Sequence, residues 1–375
     1  MISGSAASTP QTLLSSFTTL RVGGPARRMV RAHDEAALLQ AVQAADAQGE
    51  PLLLIGGGSN LLIADDGFPG TVVLIGGGPR EPEIVGEGDG HVDVRVAAGH
   101  PWDDLVALTV GRGWAGLEAL SGIPGLAGAT PVQNVGAYGA EVSQVLLSVH
   151  AWDRHEGRLL TLANEDLGFS YRNSLLKRTT VGASPRYVVL SILLRLRKDR
   201  LGAPVRYAEL ARSLGVEVGD RAPAQLVRET VLRLRAAKGM VLDPEDPDTN
   251  SAGSFFTNPV VERAVAERLP PAAPRWPVAS GPEGRVKLSA AWLIENAGFA
   301  KGFGLPGSSA PSGSDGFGLT GGRASLSTKH TLAITNRGGA KAADLLRLAR
   351  TVRDGVEDAF GVRLEPEPLL VGCTL

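Results

Sequence analysis

FSYRNSLLK (169–177) sets Tyr171, Arg172, Asn173 and Ser174 together between apolar anchors. The planar fork of an arginine matches a carboxylate or a phosphate, and a fixed cation stabilises negative charge that develops on a bound substrate. SAGSFFTNP (251–259) puts Ser254 after a glycine and before two phenylalanines, so a hydroxyl stands at the edge of an apolar wall, with Asn258 nearby. LEPEP (364–368) contributes Glu365 and Glu367 in a proline-framed extended run, where side chains two apart share a face. Taken singly, each is a commonplace structural residue; an isolated arginine is usually a solvated surface group.

Two glycine-dense segments have the composition of ligand cradles. In IGGGSNLLI (55–63) three glycines between strand-forming runs let successive N–H groups of Ile55, Gly56, Gly57, Gly58, Ser59, Asn60 and Leu61 converge on an anion. A glycine-rich hairpin explains that segment equally well. SGIPGLAGATPVQNVGAYG (121–139) combines many glycines with small and polar residues and almost no charge, so its backbone can wrap a flat or phosphorylated ligand closely. GFGLPG (302–307) and GFGLTG (316–321) satisfy G-x-G-x-x-G but lack the preceding strand and following helix that a dinucleotide turn needs. The histidines (33, 91, 100, 150, 155 and 330) show no zinc spacing, so no metal site is expected; His330 stands at a strand start where it can line a pocket. Neither a nucleophile elbow nor a P-loop is present, which removes hydrolase and kinase readings.

The elements that must position these residues follow from pattern. Residues 34–49 read as a helix with Asp34 as N-cap and Gly49 at its end. Strands are expected at 52–55, 71–75 and 91–99, then a helix over 102–113 and further strands through RLLTL and RYVVLSILLRLRK. Pro223 with Leu226, Val227, Thr230, Val231 and Leu234 marks a helix ending at Gly239. The second half holds a helix at SAAWLIENAG, a strand at TLAIT and a helix from Lys341 to Phe360 whose core stripe is Leu345, Leu348, Ala349, Val352, Val356 and Ala359. The Gly/Ser-rich stretch 302–322 is expected to be a mobile surface insertion.

Composition narrows the class. Lys plus Arg (38) nearly cancel Asp plus Glu (39), so no basic surplus favours nucleic acid or a membrane surface, and a small-molecule partner is expected. A single cysteine, Cys373, rules out an internal disulfide and a multi-thiolate metal site. With no apolar run of about 18 residues and no signal-like start, the expected location is the cytoplasm.

Taken in order, TLRVGGPA (19–26), IGGGSNLL, SGIPGLAGATPVQNVGAYG, FSYRNS, RAAKGMVLDP (235–244), SAGSFFTNP and LEPEP resemble the UDP-N-acetylenolpyruvoylglucosamine reductases over nearly the whole chain. PVRYAEL (204–210) resembles the form of that family with a tyrosine loop over the substrate. The resemblance implies an α+β fold: a vanillyl-alcohol-oxidase/PCMH-type FAD-binding region of two subdomains (19–198) after a flexible N-terminus (1–18). A C-terminal α+β substrate-binding domain (199–360) and a strand returning to the active site (361–375) complete it. It further implies FAD as cofactor, NADPH as reductant, and reduction of UDP-N-acetylglucosamine enolpyruvate in peptidoglycan synthesis by a monomer or weak dimer.

On that template Arg172, Ser254 and Glu367 are catalytic, and the first cradle together with Ser121, Gly122, Pro124, Gly125, Gly128, Ala129, Gln133, Asn134, Gly136 and Ala137 holds FAD. Tyr138, Tyr207, Lys238, Asn258 and His330 meet the substrate, Lys238 and Asn258 also supporting Ser254. Thr257, where the family commonly has lysine, the 302–322 insertion and PLLVG after Glu367 depart from the pattern. The alternatives are a related FAD-dependent alcohol or sugar oxidase and a non-catalytic UDP-sugar-binding protein.

Overall fold

The computed structural model describes residues 12–77, 81–278, 284–309, 313 and 315–375. Its first body comprises β1 (Ala26–Ala32), α1 (Glu35–Ala47), β2 (Leu52–Ile55), β3 (Leu61–Ile63) and β4 (Phe68–Ile75). β1 and β2 both pair in parallel with β4. Asp34 caps α1 by accepting from the Ala37 amide at 2.8 Å. Leu38, Ala41, Val42 and Ala45, spaced to share one face, are buried against this sheet.

The second body is an antiparallel sheet of β5 (Glu83–Gly88), β6 (His91–Ala97), β7 (Leu146–Asp153), β8 (Arg158–Ala163) and β9 (Tyr187–Lys198), in the order β8-β7-β9-β6-β5. Strict alternation in β6 buries Val92, Val94 and Val96 completely and leaves Arg95 exposed. α2 (Trp102–Gly111) covers this face with Trp102, Leu105 and Val106.

α3 (Ala208–Leu214) and α4 (Ala224–Ala237) follow the expected boundary, yet α4 packs back on the second body, with Arg228 paired to Asp103 of α2 at 2.6 Å. Val227, Thr230 and Val231 face inward as expected; Leu226 is exposed.

The remaining chain builds a small antiparallel sheet from β10 (Val260–Glu262), β11 (Arg275–Pro277) and β12 (Arg285–Leu288), then α5 (Ala290–Asn296), the hairpin of β13 (Ala324–Leu326) and β14 (Ile334–Asn336), and α6 (Ala342–Phe360). Of the expected α6 stripe, Leu345, Leu348, Ala349, Val352 and Val356 are fully buried, and only Ala359 is exposed. Leu20, Val22 and Leu62 from the N-terminal half join this core. β15 (Leu369–Val371) runs parallel to β3, with Leu369 opposite Leu61, so the C-terminus returns to the first body.

Three expectations are corrected. Residues 12–18 are built into the fold: Leu14 is fully buried and its amide donates to Gly24 O at 2.9 Å, while residues 1–11 of the expected flexible N-terminus lie outside the described residues. The 302–322 segment is not wholly a surface loop, because Phe303 is buried and meets Phe299 edge-on at 5.0 Å; its residues 310–312 and 314 lie outside the described residues. Composition misled there because glycines around a single aromatic anchor look like linker. Finally, Glu365 is exposed while Glu367 sits half-buried in a bend, so the pair does not lie on one extended strand; the strand begins only at Leu369.

Candidate active site

Arg172 lies in a tight turn whose Ser170 and Asn173 exchange backbone hydrogen bonds, anchored on one side by the Ser174 hydroxyl donating to Val132 O at 2.5 Å. Its Nε donates to Glu367 Oε1 at 2.8 Å and its Nη2 to Gly136 O at 2.8 Å. Nη1 makes no hydrogen bond among the described residues, so one edge of the fork stays open. Arg172 adopts φ 52°, Tyr138 φ 50° and Asn134 φ 47°, left-handed conformations that cost a non-glycine residue about 1–3 kcal/mol and persist where surrounding structure enforces them.

Glu367 is held by its backbone from two sides. Its amide donates to Phe255 O at 2.8 Å, and the Asn60 side chain donates to its carbonyl at 3.4 Å. Ser254, directly before Phe255, is therefore beside the strap that carries Glu367, and its hydroxyl makes no hydrogen bond among the described residues. Around the pair stand further cations. Lys177 Nζ donates to Arg172 O at 3.1 Å, and the Lys287 ammonium lies 4.8 Å over the Tyr171 ring. Burial lowers the pKa of both lysines, with the Glu367 charge opposing it at Lys177 and the Glu141 charge at Lys287.

The Gly56–Asn60 turn joins β2 and β3, which belong to different sheets, so the hairpin reading fails. The backbone N–H groups of Gly57, Gly58, Ser59 and Asn60 find no acceptor among the described residues. The Ser59 hydroxyl donates to Pro124 O at 2.9 Å and ties the two glycine segments together. A Cβ on Gly57 would come within 2.7 Å of Gly125 Cα, and one on Gly58, at φ 61°, within 1.8 Å of Phe17 O. Beside the turn is a cavity of about 390 Å³ lined by Phe17, Thr18, Thr19, Gly56, Gly57 and Asn250, among others, into the size range of small-molecule pockets. The buried Thr19 hydroxyl at this wall has no hydrogen-bond partner among the described residues.

A second cluster forms where α3 and α4 meet Tyr138, in the turn after the short strand Gly136–Ala137. Tyr138 and Tyr207 pack edge-on at 5.6 Å, the Lys238 ammonium lies 5.7 Å over the Tyr138 ring, and Lys238 pairs with Glu209 at 2.6 Å. Burial pushes the Tyr138 phenol up to about 12, against the opposing Arg235 charge. Burial, then the charges of Lys238 and Lys301, bring His330 down to about 4, so its imidazole is neutral at pH 7. Gly136 O holding Arg172 and Tyr138 under Lys238 place the two clusters at either end of one short segment.

A family model described as UDP-N-acetylenolpyruvoylglucosamine reductase, C-terminal domain, matches residues 243–371, and one described as FAD binding domain matches residues 26–163. The UDP-N-acetylenolpyruvoylglucosamine reductase of Salinispora arenicola is 52% identical over 369 residues, covering 96% of this chain and 95% of that protein. The chain belongs to the UDP-N-acetylenolpyruvoylglucosamine reductase family. The reductase of Saccharopolyspora erythraea is 54% identical over 372 residues, with 96% and 95% covered. The crystal structure of the Thermus caldophilus reductase matches with a TM-score of 0.62 at 25% identity, over 96% of this chain and 98% of that one.

Membership in this reductase family makes FAD the group the cradle must fit, and it does: unpaired N–H groups suit the diphosphate, and two glycines leave no room for a Cβ between the walls. Gly57→Ala, which introduces no left-handed strain, is therefore expected to weaken FAD binding at least tenfold with the fold retained; a fluorescence titration giving unchanged affinity would remove the cradle from the cofactor site.

Not every residue assigned by resemblance to the reductases points at the cofactor. Asn134 is buried with its amide committed to Glu141, Ser170 O and the Ser143 amide; Gly128 packs on Ala98, its amide donating to Ala98 O at 3.0 Å; and Ala129 is exposed. Asn258 and Lys238 do not support Ser254 here. The Asn258 side-chain oxygen Oδ1 accepts from the Ala290 amide at 3.0 Å, and Lys238 is held by Glu209.

Sequence reasoning missed Lys177, Lys287, Glu209 and two buried charges. The Glu118 carboxylate receives the Gly116 amide at 2.6 Å and also the Ala203 amide, pinning the segment that leads to Tyr207. Arg235 is buried beside Gly122, with its Nε unpartnered among the described residues. Its spacing, three residues before Lys238 on one helix, was the available signal. Among the described residues no group of His, Cys, Asp or Glu could hold a metal, and no helix is long and apolar enough to cross a membrane.

Proposed function

We infer that this chain reduces UDP-N-acetylglucosamine enolpyruvate to UDP-N-acetylmuramate with NADPH, through FAD, in the synthesis of peptidoglycan precursors. The observation that carries this reading is the convergence of Arg172, Glu367 and the Ser254 segment, from three distant stretches, next to the glycine cradle.

The free amides of Gly57, Gly58, Ser59 and Asn60 would hold the FAD diphosphate, and the flavin, reduced by NADPH, would supply the hydride that the enol ether takes at C3. Arg172 offers its open edge to the substrate carboxylate, into which the electron pair from the double bond moves. Glu367 fixes the plane of that guanidinium, and Gly136 O restrains its far nitrogen. Lys177 and Lys287 add positive potential around the developing charge. The Ser254 hydroxyl, without a competing partner, gives its proton to C2 and regains one from solvent. At the other end, Lys238, Tyr207 and Tyr138 receive the nucleotide diphosphate, and neutral His330 supplies a hydrogen bond without adding charge.

The reading is tested with the purified protein. It is expected to be yellow and to oxidise NADPH continuously only when the enolpyruvyl UDP-sugar is present. Protein that never takes up FAD, or that turns over NADPH equally well with oxygen alone, would contradict it.

A further inference from the structure

Lys238 closes α4, and Glu209 stands in the first turn of α3, two residues after Tyr207. Their charged groups meet at 2.6 Å with side chains 28% and 36% exposed, so the pair is reached by solvent and by an incoming ligand. The same Lys238 lies over Tyr138, which packs edge-on against Tyr207, making the ion pair and the aromatic pair one contact set. The other charges felt at this end are Arg235, which acts on Tyr138, and Lys301, which acts on His330 together with Lys238 and Glu209. A diphosphate arriving here meets an ammonium whose charge is already neutralised by a carboxylate, and two anions on one ammonium repel each other.

Given the reading that this end takes the diphosphate of a UDP-sugar, we propose that Glu209 is a displaceable counter-ion for Lys238: it holds the ammonium in the ligand-free chain and is expelled when the diphosphate arrives. Expulsion releases the first turn of α3, and with it Tyr207, while Leu210 and Ala211 keep the rest of the helix anchored in the cluster with Val227 and Val231. The device selects for charge. A ligand with a diphosphate displaces the carboxylate, and uridine without phosphate does not.

UDP and uridine are titrated calorimetrically into the FAD-loaded full chain at low salt, for the unaltered protein, Glu209→Gln, Lys238→Met and the double variant. Glu209→Gln is expected to bind UDP about fivefold tighter, equivalent to about 1 kcal/mol for a solvent-reached ion pair, with uridine unaffected. In the Lys238→Met background the gain disappears, because the two residues act through each other. Equal or weaker UDP binding by Glu209→Gln, or the same gain without Lys238, overturns the proposal; a purely packing role for Glu209 gives weaker binding. Should Glu209→Gln fail to retain flavin, Glu209→Asp, which withdraws the carboxylate by one methylene, must still bind UDP tighter than the unaltered chain. If the unaltered protein binds UDP and the variants show no gain, only the counter-ion fails. If it binds no UDP while holding reducible flavin, the UDP-sugar reading falls as well.

Discussion

Ser254→Ala is expected to leave reduction of the flavin by NADPH intact and to slow its reoxidation by substrate by roughly 10²- to 10⁴-fold, the range for loss of a positioned general acid. The structure makes this variant clean. The hydroxyl has no protein partner among the described residues, so its removal orphans no buried donor or acceptor and stability should hardly change. Stopped-flow traces of flavin absorbance separate the half-reactions: bleaching by NADPH should keep its rate, and recovery on adding the enolpyruvyl sugar should nearly vanish. Normal recovery would transfer the proton-donor role to another group, with the Glu367 carboxyl next in line.

How much of this site could be read from the chain depended on where each residue's partner lies. Arg172, Ser254 and Glu367 stood in short segments of unusual composition, and the family pattern assigned their roles; the structure brings their segments together through Phe255 O, Asn60 and the Arg172–Glu367 pair. Lys287 had no such signal. It sits in an ordinary strand, and its closeness to Tyr171 arises only because β12 packs beside the 170–173 turn. Glu209 was likewise hidden, since nothing in PVRYAEL reveals that Lys238, 29 residues on, ends a helix facing it.

Helices with strong apolar periodicity were legible to within a residue or two, as α1 and α6 show. Glycine-rich segments were less so, because glycine reports conformational freedom and not its purpose. At Gly57 and Gly58 it keeps two walls in contact, whereas around Phe303 the same composition surrounds a core anchor. Asn134 shows the converse error. It lies in a segment that resembles a cofactor loop, yet its amide is fully engaged in holding that loop's shape.

Arg172→Lys is expected to lower the rate of flavin reoxidation by about 10²- to 10³-fold, the loss seen when one donor to a developing oxyanion is removed. Charge is conserved in this variant, and lysine at φ 52° bears the same backbone strain as arginine, so neither net charge nor the turn explains a loss. What disappears is the fork. One ammonium cannot donate to Glu367 and Gly136 O while presenting a planar edge to a substrate carboxylate. The lost Glu367 bond also frees a half-buried carboxylate beside Lys177, which is expected to take over as its partner and limit the fall in stability. A melting temperature close to that of the unaltered protein, with NADPH still bleaching the flavin, would then locate the defect in transition-state charge. Reoxidation within threefold of normal would show that a point charge suffices, and the geometric role given to the guanidinium would have to be abandoned.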